Sequence, residues 1–258
     1  MAEPEIEGAD ISLRAAEVAS DVSETDRPQE RRRLVSAFTR AVTSSARAAG
    51  RGTRAVRRRA GDGIGWLADQ VVAMAPRLRV RNQAALQAQF PGRSPDEIAD
   101  ALIDGAARTA AAAGGAAGMA SALPVLPAFP AEIAAETLIL VGVELKLVAE
   151  LHEAYGSPAP GKFTERMSAY VAAWSHRRGV FMIEGGLIFA AGSPLARLLR
   201  RRLVARAGRS AFSLGPMLTG AAAGALFNRR ETRRLGREIQ RDLRRHAIEP
   251  PPGPWWQR

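Results

Sequence analysis

The sequence contains no cysteine, which excludes disulfide frameworks, thiolate catalysis and cysteine-based zinc sites. Aromatic residues make up only 5% of the 258 residues, so large rings can fill little of a core. Lysine is scarce as well, because Lys146 and Lys162 are the only two and every other Lys/Arg position is arginine. Runs of β-branched residues are also scarce, which argues against a fold based on sheets.

What the sequence does contain favours helices. Alanine, arginine, leucine and glutamate dominate, and these residues have high helix propensity. Hydrophobic residues form 47% of the chain, which is enough for a core, although many are alanines that bury little area each. The composition therefore predicts an all-α protein, a bundle of closely packed Ala/Gly-rich helices with a disordered acidic N-terminal tail.

The formal net charge of +11 favours anionic partners such as nucleic acid or acidic lipid headgroups. The first residues have neither a basic region nor the apolar run of a secretory signal. We therefore expect the protein on the cytoplasmic side of the cell membrane, with a purely cytoplasmic location as the alternative.

Composition shifts divide the chain into four regions. Residues 1–30 are rich in acids and poor in large apolar groups, which predicts a disordered acidic tail. Residues 31–60 contain many arginines and no acidic residue, which predicts a basic amphipathic helix. Residues 61–248 form the predicted helical domain, and residues 249–258 are a Pro/Trp tail.

The basic region from 31 to 60 has an informative spacing. Leu34, Phe38 and Val42 belong to a weakly apolar stripe beside an arginine face. Such helices lie on anionic membranes, although a solvated helix face is the simpler alternative. A second basic patch follows later in the chain. The predicted anion-binding residues are Arg33, Arg40, Arg47, Arg51, Arg54, Arg58, Arg200, Arg201 and Arg202.

Three apolar segments approach the length that a membrane span needs, at residues 109–131, 179–196 and 210–228. Prolines, glycines or the acid Glu184 interrupt each of them, so none is expected to insert alone. Two contain small residues at four-residue spacing, which lets helix backbones approach closely in protein or lipid. A shallow contact of these segments with the membrane is the alternative to close helix packing. The predicted helix-packing residues are Gly114, Gly118, Gly220 and Gly224.

The clearest long helix begins after Pro130 and ends before Gly156. Glu144 lies on its apolar face, and an unpaired buried carboxylate is strongly disfavoured. We therefore predict that Glu144 is a buried acid paired with an arginine from a neighbouring helix. A metal site that includes Glu144 and His152 is the alternative.

Several motifs together resemble a known family. A Gly/Ala-rich helix at Gly114–Gly118 precedes Leu123-Pro124, and Pro130-Ala131-Glu132 then opens a long apolar helix that ends at Tyr155-Gly156. The later stretch Gly220–Asn228 is a further small-residue helix. These motifs resemble the EcsC-like proteins of bacteria over residues 105–156 and 210–235. The resemblance implies an all-helical, membrane-associated protein. The family takes its name from linkage to an ABC-type exporter, and the resemblance supplies no catalytic residues.

No catalytic motif is evident. His152-Glu153 is only half of an HExxH site, and the glycines of residues 61–65 lack the Gly-Lys-Ser/Thr ending of a phosphate loop. We predict no enzyme activity, no cofactor and no metal.

We predict a non-catalytic helical protein at the cytoplasmic face of a bacterial membrane, peripheral or shallowly inserted, and accessory to a transport or envelope system. Its expected partners are the anionic membrane surface and a membrane protein or second copy of the chain. Nonspecific nucleic-acid binding ranks second and a metal-dependent enzyme third.

Overall fold

The computed structural model describes residues 3–49, 67–120, 129–183, 186–189 and 215–248. The helices are α1 (Glu3–Glu24), α2 (Pro28–Ala49), α3 (described over 67–74), α4 (Gln83–Gln89), α5 (Pro95–Ala120), α6 (Phe129–Ala154), α7 (Phe163–Arg178) and α8 (Gly215–Ile248). A 3₁₀ turn, Ala75–Arg77, follows α3. Strands β1 (Val180–Ile183) and β2 (Gly186–Phe189) lie between α7 and α8. The predicted all-α class is confirmed.

The central element is α6, whose residues 135–151 are all buried. This stretch is mostly apolar but also contains buried charged side chains, and neighbouring helices cover it on every side. Helices α1, α2, α5, α7 and α8 all contact α6. Gly156, at φ +64°, ends the segment in the left-handed region that glycine adopts readily.

The disordered acidic tail is a wrong prediction over the described residues, because Glu3–Glu24 forms α1. Ala15, Ala16 and Ala19 are fully buried in the main core cluster. Their small side chains allow a close approach to α6, where a Cβ built on Gly142 would lie 2.6 Å from Ala19 Cβ. The acidic composition, poor in large apolar residues, therefore misled the prediction, since α1 packs through alanine while Glu17 is exposed and Glu24 bonds Lys146 of α6.

Helix α2 also belongs to the bundle. Val35 and Phe38 are buried in the same core, and α2 contacts α1, α5 and α6. The regions predicted at 1–30 and 31–60 therefore contribute to one core with the later helices. The part of the apolar stripe that includes Phe38 faces protein and not a lipid surface.

The most extensive contact between two described helices is that of α5 with α8, which run antiparallel. Asn228 Nδ2 donates to the Ala110 carbonyl at 3.3 Å, and Arg233 Nη2 donates to Asp104 Oδ1 at 2.8 Å. Further along, Arg244 Nε donates to Asp96 Oδ1 at 2.6 Å. Ser94 and Glu97 form the predicted capping box at the start of α5, with Ser94 N to Glu97 Oε2 at 2.8 Å.

The two strands form an antiparallel hairpin in which Val180 pairs with Phe189 and Ile183 with Gly186. Part of the apolar segment at 179–196 is therefore extended. Among the helices of the described residues, none combines the length and the mean hydropathy that a membrane crossing requires.

Candidate functional site

Glu144 lies at the centre of a buried polar cluster, with only 2% of its surface exposed. Arg178 of α7 contacts it through two nitrogens, Nε to Oε2 at 3.0 Å and Nη2 to Oε1. Trp174 Nε1 donates to Oε2 at 2.8 Å, and Thr232 Oγ1 of α8 donates to Oε1 at 2.9 Å. The predicted pairing of a buried Glu144 with an arginine from a neighbouring helix is confirmed. This cluster ties α6, α7 and α8 together, and its acid has no hydrogen-bonding capacity left for a substrate.

A second buried cluster centres on Lys146 and Glu150, one turn apart on α6. Lys146 is 1% exposed, and its Nζ lies 2.8 Å from Glu150 Oε1 and 3.2 Å from Glu24 Oε1. Its third donor contact is the Arg79 carbonyl. Arg81 Nε and Nη2 donate to the two oxygens of Glu150 at 2.8 and 2.5 Å. Burial lowers the pKa of Arg81, but the hydrogen bonds and charge of Glu150 outweigh it and raise that pKa overall.

This second cluster forms one wall of a cavity of about 370 Å³. Ser23 and Glu24 of α1, Arg31 of α2 and the end of α4 form other walls, and α5 and α6 complete the lining. Phe90, Leu102 and Leu147 contribute apolar surface. The volume falls within the range of small-ligand sites. The cavity is therefore the candidate pocket of the described chain, with charged and apolar walls together.

The most basic described surface lies on α8. Its arginines at 230, 234, 237, 241 and 245 recur at steps of three or four residues and are all exposed, so they share one helix face. We call this set the α8 arginine face. It extends over roughly 22 Å at the usual helical rise of 1.5 Å per residue. Arg230, Arg241 and Arg245 form no ion pair with any residue that the structure describes.

The structure describes only some of the predicted anion-binding arginines. Arg33 is exposed on α2, and Arg40 and Arg47 lie in the same helix. Arg51, Arg54, Arg58, Arg200, Arg201 and Arg202 lie outside the described residues. Arg33 neither lines the cavity nor belongs to the α8 arginine face. The sequence analysis did not identify the α8 arginine face, although the spacing of three or four residues between its arginines is visible in the sequence.

The predicted packing glycines lie on the two helices that contact each other most. Gly114 and Gly118 are in α5, and Gly220 and Gly224 are in α8. The contact of Asn228 with Ala110 gives the antiparallel register. Carried one and two turns further, the register predicts that Gly224 faces Gly114 and Gly220 faces Gly118. Their role in packing stays a prediction.

His152, the histidine of the alternative metal site, contacts a backbone carbonyl and a tyrosine ring. His152 Nδ1 lies 2.8 Å from the Val148 carbonyl, and its ring centroid lies 5.0 Å from that of Tyr170. Burial lowers the pKa of His152, which favours the neutral ring. Across the part of the chain that the structure describes, no three His, Asp or Glu side chains form a group that could hold a metal.

Over the described residues, the geometry thus defines a helical bundle with two buried ion clusters, a mixed-charge cavity and an arginine face. Searches of protein-family models, curated proteins and solved structures found no match to this chain. The resemblance to EcsC-like proteins therefore stays a prediction from the motifs alone.

Proposed function

We propose that the protein is a non-catalytic helical bundle that binds the anionic cytoplasmic face of a bacterial membrane through exposed arginines. The α8 arginine face is the observation that supports this proposal most. Arginine side chains close to an anionic leaflet each contribute about 1 kcal/mol of binding free energy, and salt weakens the attraction. Arg230, Arg241 and Arg245 of this face form no ion pair with a described acidic residue, so their charges are available to lipid headgroups.

The described helices favour a peripheral mode of binding. The apolar residues Val35 and Phe38 of α2 are buried in the bundle, so they do not provide an apolar anchor in this conformation. Exposed Arg32 and Arg33 on the other side of α2 add charge without apolar area. Attraction to headgroups without deep insertion predicts a complex that high salt dissociates. An accessory role beside a transport or envelope system, with a membrane protein or a second copy of the chain as partner, rests on the resemblance alone.

The test is co-sedimentation of the full chain with vesicles. Vesicles of phosphatidylglycerol and phosphatidylcholine should bind the protein at low salt and release it at high salt, and pure phosphatidylcholine vesicles should bind it weakly. The triple variant Arg230→Gln, Arg241→Gln, Arg245→Gln should lose roughly a hundredfold in affinity, at about 1 kcal/mol for each charge.

The matched control keeps the charge, with Arg230→Lys, Arg241→Lys and Arg245→Lys. It should bind nearly as well as the wild type, because headgroup attraction depends on charge more than on the guanidinium fork. Equal binding to neutral vesicles would reject the electrostatic mechanism.

Nucleic acid is the other polyanion that this face suits, and it is tested in parallel by gel shift. The α8 arginine face lacks aromatic side chains, which single-strand binding proteins use to stack bases. Retention of vesicle binding in the presence of excess DNA would support the membrane proposal. Sequence-selective binding to DNA or RNA would overturn it.

A further inference from the structure

The cavity contains a buried guanidinium with spare donors. Arg31 is 4% exposed and lines the cavity. Its Nε donates to the Val22 carbonyl at 3.2 Å, while Nη2 lies 3.7 Å from Asp26 Oδ1, beyond hydrogen-bond distance. Neither Nη1 nor Nη2 donates a hydrogen bond to any described residue. Neither nitrogen belongs to the fully buried side-chain atoms that lack a partner, so both donors are open to the cavity and available to a ligand there.

A second arginine lines the same cavity. Arg108 of α5 is exposed and forms neither an ion pair nor a donated hydrogen bond with the described residues. Its charge reaches Arg31, because burial first and Arg108 second lower the pKa of Arg31, against an opposing effect of Asp26. The two guanidinium groups therefore repel each other across the cavity. An anion between them would relieve that repulsion.

The other charges that line the cavity are already matched. Lys146 and Arg81 pair with Glu150, and Lys146 also reaches Glu24. Asp104 is paired with Arg233 at 2.8 Å. What is left is Arg31 and Arg108 against Asp26, whose side chain is 97% exposed and therefore well solvated. Arg31 and Arg108 are therefore the cations of this lining that have no acid within hydrogen-bond distance among the described residues.

We propose that Arg31 and Arg108 bind the phosphate group of a small ligand in this cavity. Two guanidinium groups suit a dianionic oxyanion, and the fork of each one matches two phosphate oxygens. Phe90, Leu102 and Leu147 would contact a compact apolar part of the same ligand. The phosphate can belong to a soluble phosphomonoester or to a phospholipid headgroup. This site is separate from the α8 arginine face and does not depend on the membrane proposal.

The experiment is calorimetric titration of the full chain with inorganic phosphate at constant ionic strength in a phosphate-free buffer. Wild-type protein should bind phosphate saturably. Arg108→Gln should bind about tenfold or more weakly, because hydrogen bonds to charged groups are among the strong ones. Arg108 is exposed and unpaired among the described residues, so this variant should fold. Arg241→Gln removes the same charge from α8 and should bind phosphate like the wild type.

Arg31→Lys serves as the second variant, since it keeps the charge in the buried position and removes the fork. It should also bind phosphate more weakly. The absence of saturable binding by the wild type, or equal affinity in Arg108→Gln and the wild type, would overturn the site.

A second arm identifies the source of the phosphate. Arg108→Gln and Arg241→Gln are compared for binding to phosphatidylglycerol vesicles. A larger loss in Arg108→Gln would assign the site to a lipid headgroup, whereas an equal or smaller loss than in Arg241→Gln would assign it to a soluble phosphate compound. If the wild-type protein binds phosphate but does not bind phosphatidylglycerol vesicles, the membrane proposal is rejected and this site stands.

Discussion

Arg178 and Glu144 form a two-point ion pair in the interior of the bundle, with Arg178 Nε 3.0 Å from Glu144 Oε2 and Nη2 bonded to Oε1. Both side chains are almost fully buried, so each depends on the other for its charge balance. Glu231 lies 3.4 Å from Arg178 Nη1 and completes the surroundings of the guanidinium. The pair joins two helices, and Thr232 attaches the third by its bond to the same carboxylate.

Replacing Glu144 by Gln should lower the free energy of unfolding by about 3–5 kcal/mol, the usual cost of removing one partner from a buried pair. The new amide would also point a donor at groups that are themselves donors, Trp174 Nε1 among them. Urea unfolding followed by circular dichroism measures the change. The control is Glu238→Gln on the surface of α8, where the pair with Arg234 is exposed and should contribute little to stability. Equal stabilities of Glu144→Gln and the wild type would contradict the importance of the pair.

The ion pairs between α5 and α8 should couple in a double-mutant cycle. Asp104→Ala and Arg233→Ala, alone and together, should show a coupling energy of about 0.5–1 kcal/mol at low salt. The coupling should shrink as salt is added, because both side chains are about two-fifths exposed. The readout is the free energy of unfolding of the four proteins in urea. Additive effects at low salt would show that the pair does not stabilise the helix contact.

The helices and their ends were largely predictable because each depends on local chemistry. Ser94 and Glu97 satisfy backbone groups within one turn, so their pattern identifies a helix start without knowledge of the rest of the fold. The burial of Glu144 also followed from its position on an apolar face. Its partner Arg178 could not be chosen, since many arginines were available and only the packing of α7 on α6 selects one.

Acidic α1 shows the opposite case. Its composition predicted disorder, yet Ala15, Ala16 and Ala19 pack closely against other helices. A hydrophobicity pattern underrates such a helix, because alanine contributes through close approach and not through large buried area. The cavity was missed for a related reason. Arg31 and Arg108 are far apart in the sequence, and only the packing of α2 and α5 brings both to one cavity.

The close approach of α1 to α6 should be sensitive to a single methyl group. In Gly142→Ala the new Cβ would lie 2.6 Å from Ala19 Cβ, a distance that requires the helices to shift. Overpacking of this kind costs about 1–3 kcal/mol. Hydrogen exchange should be faster in α1 than in the wild type, and urea unfolding should give the loss of stability.

Gly105→Ala is the matched control for that substitution. No atom lies within 4 Å of a Cβ built there, and Gly105 is inside α5. The change should stabilise the protein by about 0.5–1 kcal/mol, because alanine loses less backbone entropy in a helix. A destabilised Gly105→Ala, or an unaffected Gly142→Ala, would show that the spacing of α1 and α6 is set elsewhere.

His152 should make stability depend on pH in a defined direction. Burial lowers the pKa of the folded-state ring below its ordinary value of 6.5. At a pH between the two values the unfolded chain binds more protons than the folded one, so the free energy of unfolding rises with pH. The contribution of His152 to the free energy of unfolding is therefore complete above about pH 6.5 and is lost as the pH falls towards the folded-state pKa.

His152→Gln removes the titrating ring and keeps a side-chain donor for the Val148 carbonyl. Urea unfolding between neutral and mildly acidic pH should show a shallower loss of stability in His152→Gln than in the wild type. Parallel curves would mean that protonation of this ring does not oppose folding.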